Sequence, residues 1–333
     1  MPTTATTTLP DEQAPTLGNG VKDEVAVTRA QVTNNGDIRY QLRRTEDDTA
    51  NWEDAGSFQQ FIGAFDTTSF EFVGLLDGEQ YEVVDVDHGE PTARILVEKR
   101  RTGHYTQTLS QKRISDLRPE TSRDLGDGYR LWFGRADVEI SYDQYLVHDI
   151  STGEVESGPH PTGSPPLSLD TELMWVSLPE GHLGEIVTGL DVPLLEPTRH
   201  AEQDTGLTEP ARYTYAGGIH AAEHGVIQLA PLELLIDNSD IGGLSMLAHR
   251  DDRIPGPVWF VHDGIDGGIG FSRAIYDNFE DIAERTFDHL ETCDCQRRRG
   301  CPLCIMSEHC GNQNDPLDRV VGRQILGDVI DQL

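Results

Sequence analysis

Apolar residues in the first half of the chain keep a period of two. In EQYEVVDVDHGEPTARILVEK (79 to 99), Tyr81 and Val83 on one side of an Asp-His-Gly turn answer Ala93, Ile95 and Val97 on the other, which predicts a β-hairpin. ADVEI sets Ala136, Val138 and Ile140 against two acids. TELMWVSL (171 to 178) and VWFV (258 to 261) are short apolar runs of strand length. From about residue 205 the period changes to that of a helix. Starting at Ser272, Ile275, Phe279, Ile282, Thr286 and Leu290 share one face, and this helix is expected to end at Cys293. A last helix is expected from Pro316, with Asp315 as its cap and Leu317, Val321, Ile325, Val329 and Leu333 aligned.

These elements predict an α+β protein: a β-rich, barrel-like amino-terminal domain followed by an α/β domain. The expected boundaries are a partly disordered lead at 1–50, polar over its first 24 residues, and a β domain at 51–156. SGPHPTGSPPLSLD (157 to 170), rich in Pro, Gly and Ser, reads as a linker, and the α/β domain takes 171–333.

The α/β half carries the candidate chemistry. CDCQRRRGCPLC (293 to 304) places four of the five cysteines within one short segment. Two close pairs, Cys293 with Cys295 and Cys301 with Cys304, can each supply one edge of a tetrahedral zinc site, with Gly300 and Pro302 suiting the knuckle. A site closed by four thiolates leaves no open position, so its role is structural. An iron–sulfur cluster and free or transiently oxidised thiols are the alternatives. His309 and Cys310 are spare: either substitute ligands, or a surface imidazole and a small buried thiol. The zinc module is expected to span about 290–312.

Two further motifs admit a bland and a chemical reading. HAAEH (220 to 224) has the inverted zincin spacing, with His220 and His224 one turn apart and Glu223 as general base, but a helix whose histidines pack or hydrogen-bond gives the same letters. DGIDGGIGFS (263 to 272) sets glycines between a strand and a helix start, so that Gly267, Gly268, Gly270 and Ser272 are candidates for an anion-binding turn as well as for a tight structural one.

Composition then bounds the partners. Formal net charge is −32, with 58 acidic and 26 basic residues among 333, and the lysines are Lys22, Lys99 and Lys112. A surface so acidic suits a salt-filled cytoplasm, where at about 1 M the screening length is roughly 3 Å, and points to a halophilic archaeal type. Nucleic acid would have to be met by local basic spots. Lys99, Arg100, Arg101, Lys112 and Arg113 form one; Arg297, Arg298 and Arg299 form the other. The amino terminus has no basic start followed by an apolar core, and no apolar run is long enough to cross a membrane, so a cytoplasmic protein with reduced thiols is expected. No G-x-x-x-x-G-K-[ST] or D-E-x-H sequence occurs, so no catalytic residue is assigned and the chain is not expected to be an ATP-driven enzyme by itself.

HAAEHG, DNSDIGG, VWFVHDGIDGGIGFS, GCPLC within the cysteine cluster, and CGNQNDPLDRVVGRQIL follow one another in the order of the DUF1998 domain. The chain resembles this zinc-binding carboxy-terminal module of MrfA-like and RecQ-like superfamily 2 DNA helicases, which also occurs in DrmB of the DISARM phage-defence system. GHYTQT, FGRADVEISYDQYLVHDISTGEV and PLSLDTELMWVSLP extend the likeness, more loosely, back to about residue 70. The resemblance implies that Cys293, Cys295, Cys301 and Cys304 ligate a structural Zn²⁺ and that the module supports DNA binding and unwinding. The helicase lobes are absent from this sequence, the loop between the cysteine pairs is longer than usual, and His262 stands where the family has an aromatic. Three readings follow: a freestanding accessory module for a separately encoded helicase motor in DNA repair or processing, an interaction subunit of a DISARM-like defence system, or a metallohydrolase at His220, Glu223 and His224.

Overall fold

The computed structural model describes residues 103–149, 151–161, 166–198, 206–234, 240–307 and 310–333, together with five strands earlier in the chain. These early strands, β1 (Glu24–Val32), β2 (Ile38–Arg44), β3 (Glu53–Ser57), β4 (Tyr81–Asp87) and β5 (Arg94–Lys99), form an antiparallel sheet in the order β3-β2-β1-β5-β4. The expected hairpin is β4 with β5, in register from Tyr81 opposite Lys99 to Asp87 opposite Arg94, with one irregularity between Val83 and Asp85. Among the described residues β3 and β4 are the two edges of this sheet, so it is open rather than a closed barrel. Two of its strands fall within the expected disordered lead, both starting at or beyond the end of its polar opening stretch, and pair with each other antiparallel.

A long hairpin follows, β6 (His104–Gly126) and β7 (Tyr129–Asp149). Its turn is Gly126-Asp127-Gly128, with φ of 105°, 46° and 90°, the left-handed region that glycine enters freely. β8 (Val155–Pro161) pairs with the end of β7, and β9 (Leu167–Ser177) begins within the expected linker. The chain divides into two compact units, 1–111 with 139–167, and 112–138 with 168–333. The boundary therefore differs from the expected one, because half of the β6–β7 hairpin belongs to the carboxy-terminal unit.

That unit is built on the strand path β10-β11-β9-β7-β6, where β10 is Ile241–Met246 and β11 is Val258–Asp263. β11 is buried along its whole length between β10 and β9, which explains its unbroken apolar run. Met174, Val176, Trp259 and Val261 enter the main core, while Trp175 stacks on Trp132 at 5.6 Å and 4° between planes. The helices are α1 (His182–Gly189), α2 (Glu209–Leu234), α3 (Phe271–Asp277), α4 (Phe279–Thr292) and α5 (Arg319–Ile330). The helix expected from Ser272 is thus two helices broken at Asn278, yet Ile275, Phe279, Ile282, Thr286 and Leu290 are all buried as the spacing requires. The last helix starts three residues later than expected and is capped by Asp318, whose carboxylate accepts from the N–H groups of Val320 and Val321.

Helix α2 runs through the middle of this unit. Gly218 lies so close to α5 that a Cβ there would fall 2.2 Å from Val321 Cγ1, and a Cβ on Gly322 would fall 2.8 Å from that of Ala221. Small residues on both helices let the backbones approach, bringing His220 and His224 up to the loop that precedes α5.

Candidate metal centre and its surroundings

Cys293 caps the carboxy terminus of α4, its N–H donating to His289 O. The chain then turns through Gln296 (φ 44°) and Gly300 (φ 76°) and returns Cys301 and Cys304 to the same place. Gly300 has no room for a side chain: a Cβ would fall 2.2 Å from Ile305 Cγ1 and 3.1 Å from Cys304 Sγ. All four sulfurs lie within 4.8 Å of one another, with Cys293 to Cys301 at 3.8 Å and Cys295 to Cys304 at 4.0 Å. Sulfurs ~2.3 Å from a tetrahedral zinc stand about 3.8 Å apart, and no pair here is at disulfide distance. Burial, and then the neighbouring Cys293 and Cys301 sulfurs, push the Cys304 thiol far above its usual range. Four thiolates packed this closely can be held together only around a cation. The donor set and spacing fit Zn²⁺, and a closed four-sulfur site makes it structural.

Two arginines, Arg298 and Arg319, fasten this knuckle to the core. Arg298 donates to Asp318 at 2.9 and 2.6 Å and to Pro193 O at 2.5 Å. Arg319, 7% exposed, donates to the carbonyls of Arg297 and Leu290 and to Gln296 Oε1. Capping the last helix, Asp318 also completes the buried ion pair with Arg298. An arginine directly after a capping aspartate is the only trace of this clamp in the sequence.

The expected nucleic-acid contacts separate into distinct groups. Arg113, Arg297 and Arg299 are exposed, Arg299 lying 3.5 Å from Asp315. Arg298 is committed internally, as above. Lys112 is also turned inward: its ammonium donates to Gly243 O at 3.0 Å and faces Glu223. Burial lowers the Lys112 pKa and raises that of Glu223, each against the attraction of the other. The side chains of Lys99, Arg100 and Arg101 lie outside the described residues, as does His309.

The glycine turn does bind an anion, but the anion is the chain's own. The Asp263 carboxylate accepts from the N–H groups of Ile269, Gly270, Phe271 and Ser272 at 2.7 to 3.2 Å and from Ser272 Oγ at 2.6 Å. Gly267, Gly268 and Gly270 have φ of 91°, 72° and 91°, which curl these groups around the carboxylate. No free cradle remains for a phosphate. The hydrolase arrangement is likewise not assembled, because Glu223 turns to β10, where a Cβ on Gly243 would fall 2.2 Å from its Oε1, while both histidines face Cys310.

A family model, the MrfA Zn-binding domain, matches residues 222–305 and so spans all four cysteines. An uncharacterized protein of Methanocaldococcus jannaschii is 37% identical over 109 residues, which are 32% of this chain and 96% of that protein. The chain belongs to the MrfA Zn-binding domain family. The uncharacterized ATP-dependent helicase YprA of Bacillus subtilis is 22% identical over 264 residues, 79% of this chain and 31% of YprA. Among solved structures, the DNA-bound DUF1998 helicase MrfA aligns with 87% of this chain and 32% of its own at 18% identity and a TM-score of 0.46. The chain thus spans about a third of YprA and of MrfA. It is a helicase-associated zinc module, and among the described residues no helix is long and apolar enough to cross a membrane.

Proposed function

We propose that this MrfA Zn-binding domain protein is an accessory module that binds DNA on behalf of a superfamily 2 helicase motor carried by another polypeptide, in DNA repair or processing. The supporting observation is the surface of the zinc knuckle. Arg297 and Arg299 stand exposed on a segment held by four sulfurs and the Arg298 and Arg319 clamps, with Leu303 at its tip 80% exposed. A rigid loop presenting cations loses little conformational entropy when it meets a phosphate backbone. Arg113 supplies a further exposed cation on the same unit. That MrfA binds DNA, and that YprA is an ATP-dependent helicase, agrees with this reading.

Fluorescence anisotropy with labelled single- and double-stranded oligonucleotides, across a salt series, tests it. Binding is expected to weaken with salt, and the Arg297→Ala, Arg299→Ala double variant should reduce the slope of log K against log salt by roughly 1.4 to 1.8. No binding at any salt, or a double variant identical to wild type, would overturn the assignment.

A further inference from the structure

His220 and His224 lie one turn apart on α2, their ring centroids 4.2 Å apart. Each Nδ1 meets a backbone carbonyl, His220 that of Pro316 at 2.8 Å and His224 that of Ile305 at 2.6 Å. A carbonyl only accepts, so both protons sit on Nδ1 and both Nε2 atoms present lone pairs. Those lone pairs converge on Cys310: the three ligand atoms lie within 4.8 Å of one another, and His220 Nε2 is 3.5 Å from Cys310 Sγ.

A single thiol proton can serve one imidazole lone pair and leaves the other facing sulfur in a site where both rings are buried. A cation shared by all three atoms satisfies every one of them. A nitrogen at ~2.0 Å and a sulfur at ~2.3 Å from a tetrahedral zinc stand about 3.5 Å apart, the separation found here. A carbonyl accepting from Nδ1 is also how metal-bound histidines are held in one tautomer.

Cys310 is held in place by its own loop. Asn314 exchanges two 2.8 Å hydrogen bonds with the Ser307 backbone, and its N–H donates to Cys310 Sγ at 3.3 Å. Gln313 and Asn314 have φ of 56° and 58°, a conformation that non-glycine residues keep only when their surroundings demand it.

We propose that His220, His224 and Cys310 form a second metal site, separate from the four-cysteine knuckle, for a borderline divalent ion with zinc foremost. Three ligands come from the described residues, which leaves a fourth position for solvent or an exchangeable ligand. The family match begins after His220 and ends before Cys310, so this site is not contained in it.

Metal analysis of the full chain, purified in high salt and equilibrated with Zn²⁺, tests the proposal. Two equivalents per chain are expected in wild type and one in Cys310→Ala, with an unchanged circular dichroism spectrum. Exchange of the protein into Co²⁺ gives a second readout: the absorption spectrum should resolve a four-sulfur and a two-nitrogen, one-sulfur centre, with Cys310→Ala deleting only the latter. If Cys310→Ala fails to fold, the wild-type count and cobalt spectrum decide alone. One equivalent in wild type, two equivalents retained in folded Cys310→Ala, or a cobalt spectrum of four-sulfur type only, would each overturn the second site while leaving the zinc knuckle and the DNA-binding proposal standing.

Discussion

Ser272 gives both its backbone N–H and its hydroxyl to the carboxylate of Asp263, at 2.7 and 2.6 Å. This pair ties the end of the central strand β11 to the first turn of α3. With no solvent exposure, Asp263 is compensated by hydrogen bonds from the surrounding N–H groups rather than by a cation.

Asp263→Asn should therefore be severely destabilising, because one of the two carboxylate oxygens becomes an NH₂ group aimed at N–H donors. A loss of about 3 to 5 kcal/mol is expected in urea unfolding monitored by tryptophan fluorescence. An effect below ~1 kcal/mol would show that the turn holds itself.

Gly218→Ala reverses the usual helix-propensity rule. On an exposed helix the change stabilises by up to ~1 kcal/mol, whereas here the methyl group meets Val321. Destabilisation of about 1 to 3 kcal/mol is expected from the overpacking, and Gly218→Ala combined with Val321→Ala should recover part of it. Thermal melts of the two variants compare them directly.

His262, fully buried, is held near pKa 4, first by burial and then by the ammonium of Lys112, against a bond to Asp263 O. Besides Lys112, the Asp263 carboxylate acts on it in the opposite sense, and Glu223 in turn faces Lys112. The unfolded chain, with an ordinary histidine near 6.5, binds the proton more readily. Stability from neutral His262 is thus full above pH 6.5 and is lost as pH falls from 6.5 to 4, by up to ~3 kcal/mol. His262→Phe should flatten that part of the stability–pH curve, measured by urea midpoints from pH 4 to 7.

Cys304→Ser replaces a fully buried ligand. One zinc equivalent should be lost, along with at least ~3 kcal/mol of stability, since the energy of binding the metal is also energy of folding. Chelation of wild-type zinc in mild denaturant should produce the same change in the melting curve; zinc retained in the variant would exclude Cys304 as a ligand.

The cysteine ligands were legible because their chemistry depends on spacing along a few residues. The faces of α4 and α5 were legible for the same reason, and β11 was legible from its unbroken apolar run. The break at Asn278 was not, because both helices keep their apolar residues on one line across it. Nor was the fate of the glycine turn, where a carboxylate six to nine residues away fills the cradle that the glycines create. Lys112 and Arg298 looked like surface charge, and only the packing of β10 and α5 shows what they face. HAAEH was ambiguous for a related reason: the residue that completes it, Cys310, lies 86 positions beyond His224 and joins it only when the loop before α5 closes.

The division of the β6–β7 hairpin has a consequence for how this module can be moved between genes. A coding segment starting at residue 168 would carry every metal ligand, yet deliver β9 with its hydrogen-bonding edge bare, because residues 129–138 cover it. Such a strand invites pairing with other copies and aggregation. A segment starting at residue 112 keeps that edge covered, and carries 139–167 of the other unit along with it.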